Sequence, residues 1–273
     1  MHRRASTLAG VVILLAAAIA PAPAAQSAAQ SESQPGAIPR DAWGRPNLHG
    51  IWQADTRAAV NLEDHLARHG MPAGRGVVDG GGGTIPYQPW ARKKQQENFA
   101  ARATADPLNN CYLPGVPRIM YMDFPFQIFQ SRNHVALTFE WSQVFRLIYT
   151  NGSKPADGID FWMGDSRGRW DGDTLVVEVS NHNDKTWFDQ SGNFHSSELK
   201  LVERFTMLDT DTIQYQVTVE DPKVFTAPWH IRMPLRRKKD MARLLEYQCQ
   251  AELEEANGAF PRDPLTWFPG VGR

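Results

Sequence analysis

From about residue 124 to residue 250 the chain alternates between apolar and polar side chains, and this rhythm constrains the fold more than any other feature. Val135, Leu137 and Phe139, for example, share one face of a single run. Short polar turns such as Asn151-Gly152 and Asp171-Gly172 separate the runs. Because strand side chains alternate between the two faces of a sheet, the pattern predicts about nine or ten strands in sequence.

Most of these runs are joined by short turns, and helices do not separate them, which argues against parallel β-α-β crossovers. A large antiparallel sheet must protect its two edges, and closure into a barrel removes them. We therefore predict a mainly β protein, an antiparallel up-and-down barrel of the lipocalin-like kind with a small helical insertion. An open twisted sheet or a sandwich is the alternative.

One β-rich domain is predicted over residues 43–256. Its helical insertion covers about residues 54–110, with helical patterns at 58–69 and 89–105 and four consecutive glycines between them. Leu245, Tyr247 and Cys249 alternate and predict a last strand. Residues 257–273 contain proline, glycine and aromatic residues and are expected to be an irregular C-terminal tail.

The first residues have the three-part layout of a secretory signal. His2, Arg3 and Arg4 precede an uncharged apolar stretch, and small residues follow at Ala22 and Ala24. We predict that residues 1–24 are cleaved, that residues 25–42 are a flexible mature N-terminus, and that the protein is periplasmic or secreted. The apolar stretch is short for a membrane anchor, and no later segment is apolar enough to span a bilayer.

Two further features bear on compartment and partners. The chain has two cysteines, Cys111 and Cys249, which are expected to form one disulfide in an oxidising compartment; two buried thiols are the alternative. The 29 basic and 30 acidic residues give a formal net charge of −1, which argues against a nucleic-acid partner. The oligomeric state is left open.

Several motifs resemble those of a large group of secreted bacterial proteins, most of them without an assigned activity. They are Gly164-Asp165-Ser166-Arg167-Gly168-Arg169-Trp170-Asp171-Gly172-Asp173-Thr174-Leu175, Val202-Glu203-Arg204-Phe205-Thr206, the segment 211–222 that ends in Glu220-Asp221-Pro222, and Glu246-Tyr247-Gln248-Cys249. The resemblance implies export and a β-rich fold, and it assigns no site residues.

Glu203 is the most informative anomaly, because it falls on the same strand face as Leu201 and Phe205. A carboxylate inside a barrel must find a partner, or its pKa rises toward that of a general acid. A structural ion pair is the competing interpretation, with Arg146 as the partner because it shares a face with Val144 and Ile148.

His195 and Asp165 are the other candidate catalytic residues. Histidine titrates near neutral pH and can act as a general base, whereas Asp165 and Arg167 precede a tight turn and can also be ordinary hairpin residues. His182, Asp184 and His195 could supply nitrogen and oxygen ligands to a metal, but the sequence has no H-E-x-x-H or paired-cysteine pattern, so neither a metal nor a cofactor is expected.

Three functions are weighed. The first is binding of a small apolar or aromatic molecule in a barrel cavity, because the chain has nine tryptophans and apolar inward faces. The second is an acid–base hydrolase, lyase or isomerase that uses Glu203 with His195 or Asp165. The third is an envelope interaction protein. The candidate ligand-binding residues are Arg146, Arg167, Trp141, Tyr215 and Trp229.

Overall fold

The computed structural model describes residues 37–68 and 70–258, so the predicted leader, most of the mature N-terminus and most of the tail lie outside the described residues. The described chain contains ten strands and two α-helices. The helices are α1 (Pro89–Ala105) and α2 (Cys249–Ala256). The strands are β1 (Gly50–Ala54), β2 (Val78–Asp79), β3 (Phe126–Gln130), β4 (His134–Phe139), β5 (Phe145–Tyr149), β6 (Asp165–Asp171), β7 (Thr174–Ser180), β8 (Lys200–Asp209), β9 (Thr212–Glu220) and β10 (Trp229–Arg237).

Nine strands close into a barrel, as predicted. The strands from β3 to β10 pair with their neighbours in chain order, and β1 pairs with both β3 and β10 to complete the ring. The two-residue strand β2 pairs with β10 beside β1. One pairing departs from the predicted pattern, since β5 and β6 are parallel. The longer connection between them returns the chain to the end of the barrel where β5 began.

Inward-facing side chains pack the barrel centre. Phe126, Leu137, Ile148, Val177 and Ile231 are each at most 1 % exposed. A side chain that bordered a ligand-sized void would expose surface to it, so these values indicate close packing. The clefts described below lie on the outside of the barrel, and a small molecule is more easily accommodated there than in the interior cavity predicted from the sequence.

The insertion contains one of its two predicted helices. Pro89–Ala105 forms α1, but the apolar pattern at 58–69 does not form a helix in its described residues 58–68. Val60 and Leu62 are buried there in an irregular chain. The N–H of Leu62 binds the carboxylate of Asp189, and its carbonyl accepts from Val77. Contacts with distant segments therefore take the hydrogen-bonding groups that a helix would have used.

The predicted last strand at residues 245–249 is also absent from the described structure. Tyr247 makes a single parallel bridge with Trp141, and helix α2 then begins at Cys249. Cys249 is bonded to Cys111 as predicted, across a sequence separation of 138 residues. In the described part of the chain, no helix is both long and apolar enough to cross a membrane.

Candidate functional site

Glu203 and Arg146 form an ion pair in the centre of the barrel. Both residues are at most 3 % exposed. One carboxylate oxygen of Glu203 accepts from Arg146 Nη1 at 3.0 Å and from the hydroxyl of Tyr215 at 2.7 Å, and the other accepts from Arg146 Nη2. Arg146 also donates to Ser166 Oγ at 3.0 and 3.1 Å.

This pair is fully satisfied internally. Burial lowers the pKa of Arg146, but the charge and hydrogen bonds of Glu203 outweigh burial and hold that pKa above its usual value. Both oxygens of Glu203 accept from protein donors and the side chain is fully buried, so the carboxylate is not accessible for proton transfer to a substrate. The geometry supports the structural interpretation of this pair.

His182, just after β7, is fully buried and sits close to a second histidine. Its ring centroid lies 5.8 Å from that of His195. Within the described residues neither ring nitrogen has a hydrogen-bond partner. Burial lowers the pKa of His182 to about 3, and the charges of His195 and Arg146 act in the same direction, against a weak opposite effect of the Val179 carbonyl. His182 is therefore neutral at physiological pH.

His195 forms a hydrogen-bonded dyad with Thr186. Its Nδ1 lies 2.9 Å from the carbonyl oxygen of Ser196, which can only accept, so Nδ1 carries the proton. Burial lowers the pKa of His195, which leaves the ring neutral, although the Ser196 carbonyl and the nearby carboxylates of Asp221 and Asp184 oppose this shift. The lone pair of Nε2 then accepts the hydroxyl of Thr186 at 2.7 Å. A neutral imidazole that polarises a hydroxyl is the arrangement of a general base.

Asp189 organises the loop that carries this dyad. Its side chain is completely buried and accepts hydrogen bonds from the backbone of Leu62, Ser191 and Asn193 and from the Asn193 amide. Burial raises the pKa of Asp189 to about 7, although those hydrogen bonds and the charge of Arg118 oppose the rise. The carboxylate joins the irregular segment after β1 to the loop at 183–196.

The loop and α1 enclose a cleft of about 470 Å³, which we call the His195 cleft. It is lined by Trp90, Lys93, Lys94, Glu97, Asp184, Phe194, His195, Ser196 and Val224. Trp90 is 55 % exposed, and its ring centroid is 6.1 Å from that of Phe194. An exposed tryptophan beside a second ring offers an apolar wall to a flat ligand.

A cluster of packed aromatic rings lies against the cleft residues Phe194 and His195. Phe194 stacks on Tyr87 at 6.0 Å, and Tyr87 contacts Phe225 at 5.1 Å. Phe225 in turn contacts Trp229 at 5.4 Å, and Phe188 lies 5.1 Å from the ring of His195. These packed rings cover one end of the barrel and fix the orientation of the cleft residues.

The remaining predicted site residues lie elsewhere. Asp165 pairs with Arg167 at 2.7 Å and accepts from the backbone of Ala156, so this pair fastens the β5–β6 connection to β6. Trp141 packs where Tyr247 bridges the end of β4. The structure therefore brings together Glu203, Arg146 and Tyr215 in the barrel and places Trp229 in the aromatic cluster near His195.

Sequence reasoning missed Trp90, Phe194, Thr186 and Asp189. The signal for Asp189 was available, because the sequence Asp189-Gln190-Ser191-Gly192-Asn193 is typical of a turn in which an aspartate accepts backbone N–H groups. Trp90 carried no such signal, since its position in a polar helix gives no indication of which loop will lie opposite.

His182 and Asp189 give the stability of the fold two opposite pH dependences. Below pH 6.5 His182 is protonated in the unfolded chain, but in the folded protein it stays neutral down to about pH 3. Lowering the pH through this range therefore destabilises the fold. Between pH 3.8 and about 7 the folded protein keeps a proton on Asp189 that the unfolded chain loses, so acid stabilises the fold. The two effects oppose each other between about pH 4 and 6.5.

A His182→Leu variant lacks the acid destabilisation caused by His182, so we expect its stability to show the acid stabilisation caused by Asp189. From pH 6.5 to 4.5, the stability of the variant relative to that of wild type should rise by about 1.4 kcal/mol for each pH unit. Urea denaturation at pH 4.5, 5.5 and 6.5 measures this difference, and other titrating groups cancel in it. Parallel pH profiles for the two proteins would show that His182 does not titrate differently on folding.

The described residues contain no group of three or more histidine, cysteine, aspartate or glutamate side chains that could hold a metal ion. No protein-family model, curated protein or solved structure matches the chain, so a functional assignment has to be argued from the geometry of these sites.

Proposed function

We propose that this protein binds a small aromatic molecule in the His195 cleft. The observation that carries the proposal is the exposed ring of Trp90 beside Phe194, over a cleft of about 470 Å³. That volume lies within the range of small-ligand sites. A ligand ring seated against Trp90 and Phe194 would have the neutral imidazole of His195 at the base of the cleft.

Polar side chains around the rings of Trp90 and Phe194 can orient a bound ligand. In the described chain, Lys93, Lys94, Glu97 and Asp184 line the cleft without forming ion pairs with one another or with other residues. Both signs of charge are thus available to polar substituents on a ligand. A few placed polar groups in an otherwise apolar site are typical of small-molecule recognition.

Replacing Trp90 with alanine should weaken binding of aromatic probes about tenfold or more, because the ligand loses a stacking partner and apolar contact area. Quenching of tryptophan fluorescence and calorimetry with 4-hydroxybenzoate and tyramine measure the affinity. Cyclohexanecarboxylate, which lacks an aromatic ring, should bind more weakly than either probe.

A Trp43→Ala variant is the matched control, because Trp43 is also exposed, at 47 %, and does not line the cleft. It should bind both aromatic probes as wild type does. If the two variants lose affinity equally, or if wild type binds neither probe, the proposed site is wrong.

A second candidate function is acid–base catalysis in the same cleft. The Thr186–His195 dyad favours it, because a neutral histidine with its lone pair on a hydroxyl can accept a proton. Recovery of a bound probe as a chemically altered product would support catalysis. A His195→Gln variant should then abolish the conversion while it retains binding, whereas recovery of unaltered probe supports binding alone.

We also propose that the protein is exported and acts in the periplasm or outside the cell. The three-part leader, the resemblance to secreted proteins and the Cys111–Cys249 disulfide support this. N-terminal sequencing of protein from a periplasmic fraction tests it, with a mature start after Ala24 as the expected result. An intact leader in the cytoplasmic fraction would contradict it.

A further inference from the structure

On one side, β10 has two partners in succession, β1 and then β2. β1 pairs with β10 only up to the Ala54–Leu235 position, and β2 pairs with it from Ile231. Pro234 lies between these two pairings. Its carbonyl accepts from the N–H of Asp55 at 3.5 Å, but it has no N–H to donate back to β1. The chain of β1 therefore leaves β10 at this point, and a cleft of about 910 Å³ forms there.

Outward-facing arginines of β10 border this cleft. Met233 and Leu235 point into the barrel and are buried, so Arg232 and Arg236 point outward and are exposed. Arg57 and Arg75, from the irregular chain after β1, also line the cleft. The topology thus places cations from two distant segments around one cleft.

Positive charge exceeds negative charge in this cleft. Its lining contains six lysine or arginine side chains, including Arg237 and Lys238, against three aspartates. Four of the six cations have a carboxylate partner: Arg57 pairs with Asp123 at 3.7 Å, Arg232 with Asp79 at 2.8 Å, Arg237 with Asp211 at 3.7 Å and Lys238 with Asp240 at 3.5 Å.

Arg75 and Arg236 form no ion pair in the described chain. Arg236 donates one hydrogen bond from Nη1 to Thr212 Oγ1 at 2.7 Å, which orients its guanidinium group against β9 and leaves its remaining donors for other partners. Two arginines without a carboxylate partner in the lining of one cleft are suited to an anion that reaches both.

We propose that this cleft binds a small polyanion, a molecule with two or more phosphate or carboxylate groups. Guanidinium groups bind both kinds of oxyanion through two parallel hydrogen bonds. The net charge of −1 for the whole chain argues for a discrete ligand rather than nucleic acid, which needs an extended basic surface. The site is separate from the His195 cleft and does not depend on the function proposed there.

Calorimetric titration with pyrophosphate, citrate and acetate tests the proposal. Pyrophosphate or citrate should bind at least about tenfold more tightly than acetate, because only a polyanion can engage several arginines at once. The stronger of the two identifies phosphate or carboxylate as the preferred group. An Arg75→Gln/Arg236→Gln variant should weaken that binding about tenfold or more.

An Arg169→Gln/Arg204→Gln variant is the control, because it removes the same charge from exposed positions that do not line the cleft. It should change affinity less than about twofold, since screened long-range charge contributes little. Equal weakening in the two variants, or polyanion binding no tighter than that of acetate, would overturn the proposal. Both variants change exposed side chains, and their unfolding midpoints should match wild type.

Discussion

An Arg146→Leu variant is expected to lose about 3–5 kcal/mol of unfolding free energy, because it leaves the carboxylate of Glu203 buried without its cation. Arg146 and Glu203 are 3 % and 0 % exposed, so water cannot replace the missing partner. Glu203→Leu should cost a similar amount, since it leaves Arg146 charged and removes the acceptor of the Tyr215 hydroxyl. Urea denaturation followed by circular dichroism measures both losses.

The double variant Arg146→Leu/Glu203→Leu distinguishes the contribution of the ion pair to the unfolding free energy from that of side-chain packing. It should recover much of the stability lost in each single variant, because an apolar pair buries no charge. The same cycle on the exposed pair Arg169–Glu178, 3.0 Å apart, should show a coupling of at most about 1 kcal/mol. If the barrel pair couples no more strongly than the surface pair, Glu203 is not held as a buried charge and could still take part in proton transfer.

Replacing both cysteines with serine should cost about 5 kcal/mol of unfolding free energy in the chain-entropy account, an upper estimate for so long a loop. The bond joins residues 138 positions apart and ties α2 to the segment that precedes β3, so its removal increases the conformational entropy of the unfolded chain. Urea denaturation of the oxidised wild type and of the Cys111→Ser/Cys249→Ser variant measures the difference.

Reductant is the matched control for the disulfide. It should lower the unfolding midpoint of wild type toward that of the variant and leave the variant unchanged. If reductant and substitution both leave the midpoint where it was, the bond does not restrict the unfolded chain. A loss confined to the variant would instead come from the serine hydroxyls, since Cys249 is buried.

The sequence placed Glu203 and Arg146 in the interior but could not show whether they act as an acid or as a structural ion pair. The alternation of β8 placed Glu203 on the apolar face, and Arg146 was identified as its partner because it had the same property on β5. The pattern could not show that Tyr215 and Ser166 would complete the hydrogen bonds. Those contacts turn a potential acid into a satisfied ion pair.

Apart from β2, which was not predicted, and the strand predicted at residues 245–249, which does not form, the sequence by itself determined the strands, the closed β-rich fold, helix α1 and the pairing of the two cysteines. These follow from periodicity, from turn residues and from the count of thiols, all of which are properties of short segments or of composition.

Only the tertiary structure decided that residues 58–68 stay irregular, that residues after Cys249 form a helix, and that clefts lie outside a packed barrel. Each of these outcomes depends on partners far away in the chain. Asp189 accepts the N–H of Leu62, and Pro234 accepts from Asp55 but has no N–H to donate back to β1. Burial and hydrogen-bond satisfaction over such distances override local preference, because an unpaired buried group costs about 1–3 kcal/mol, more than a residue's intrinsic propensity supplies.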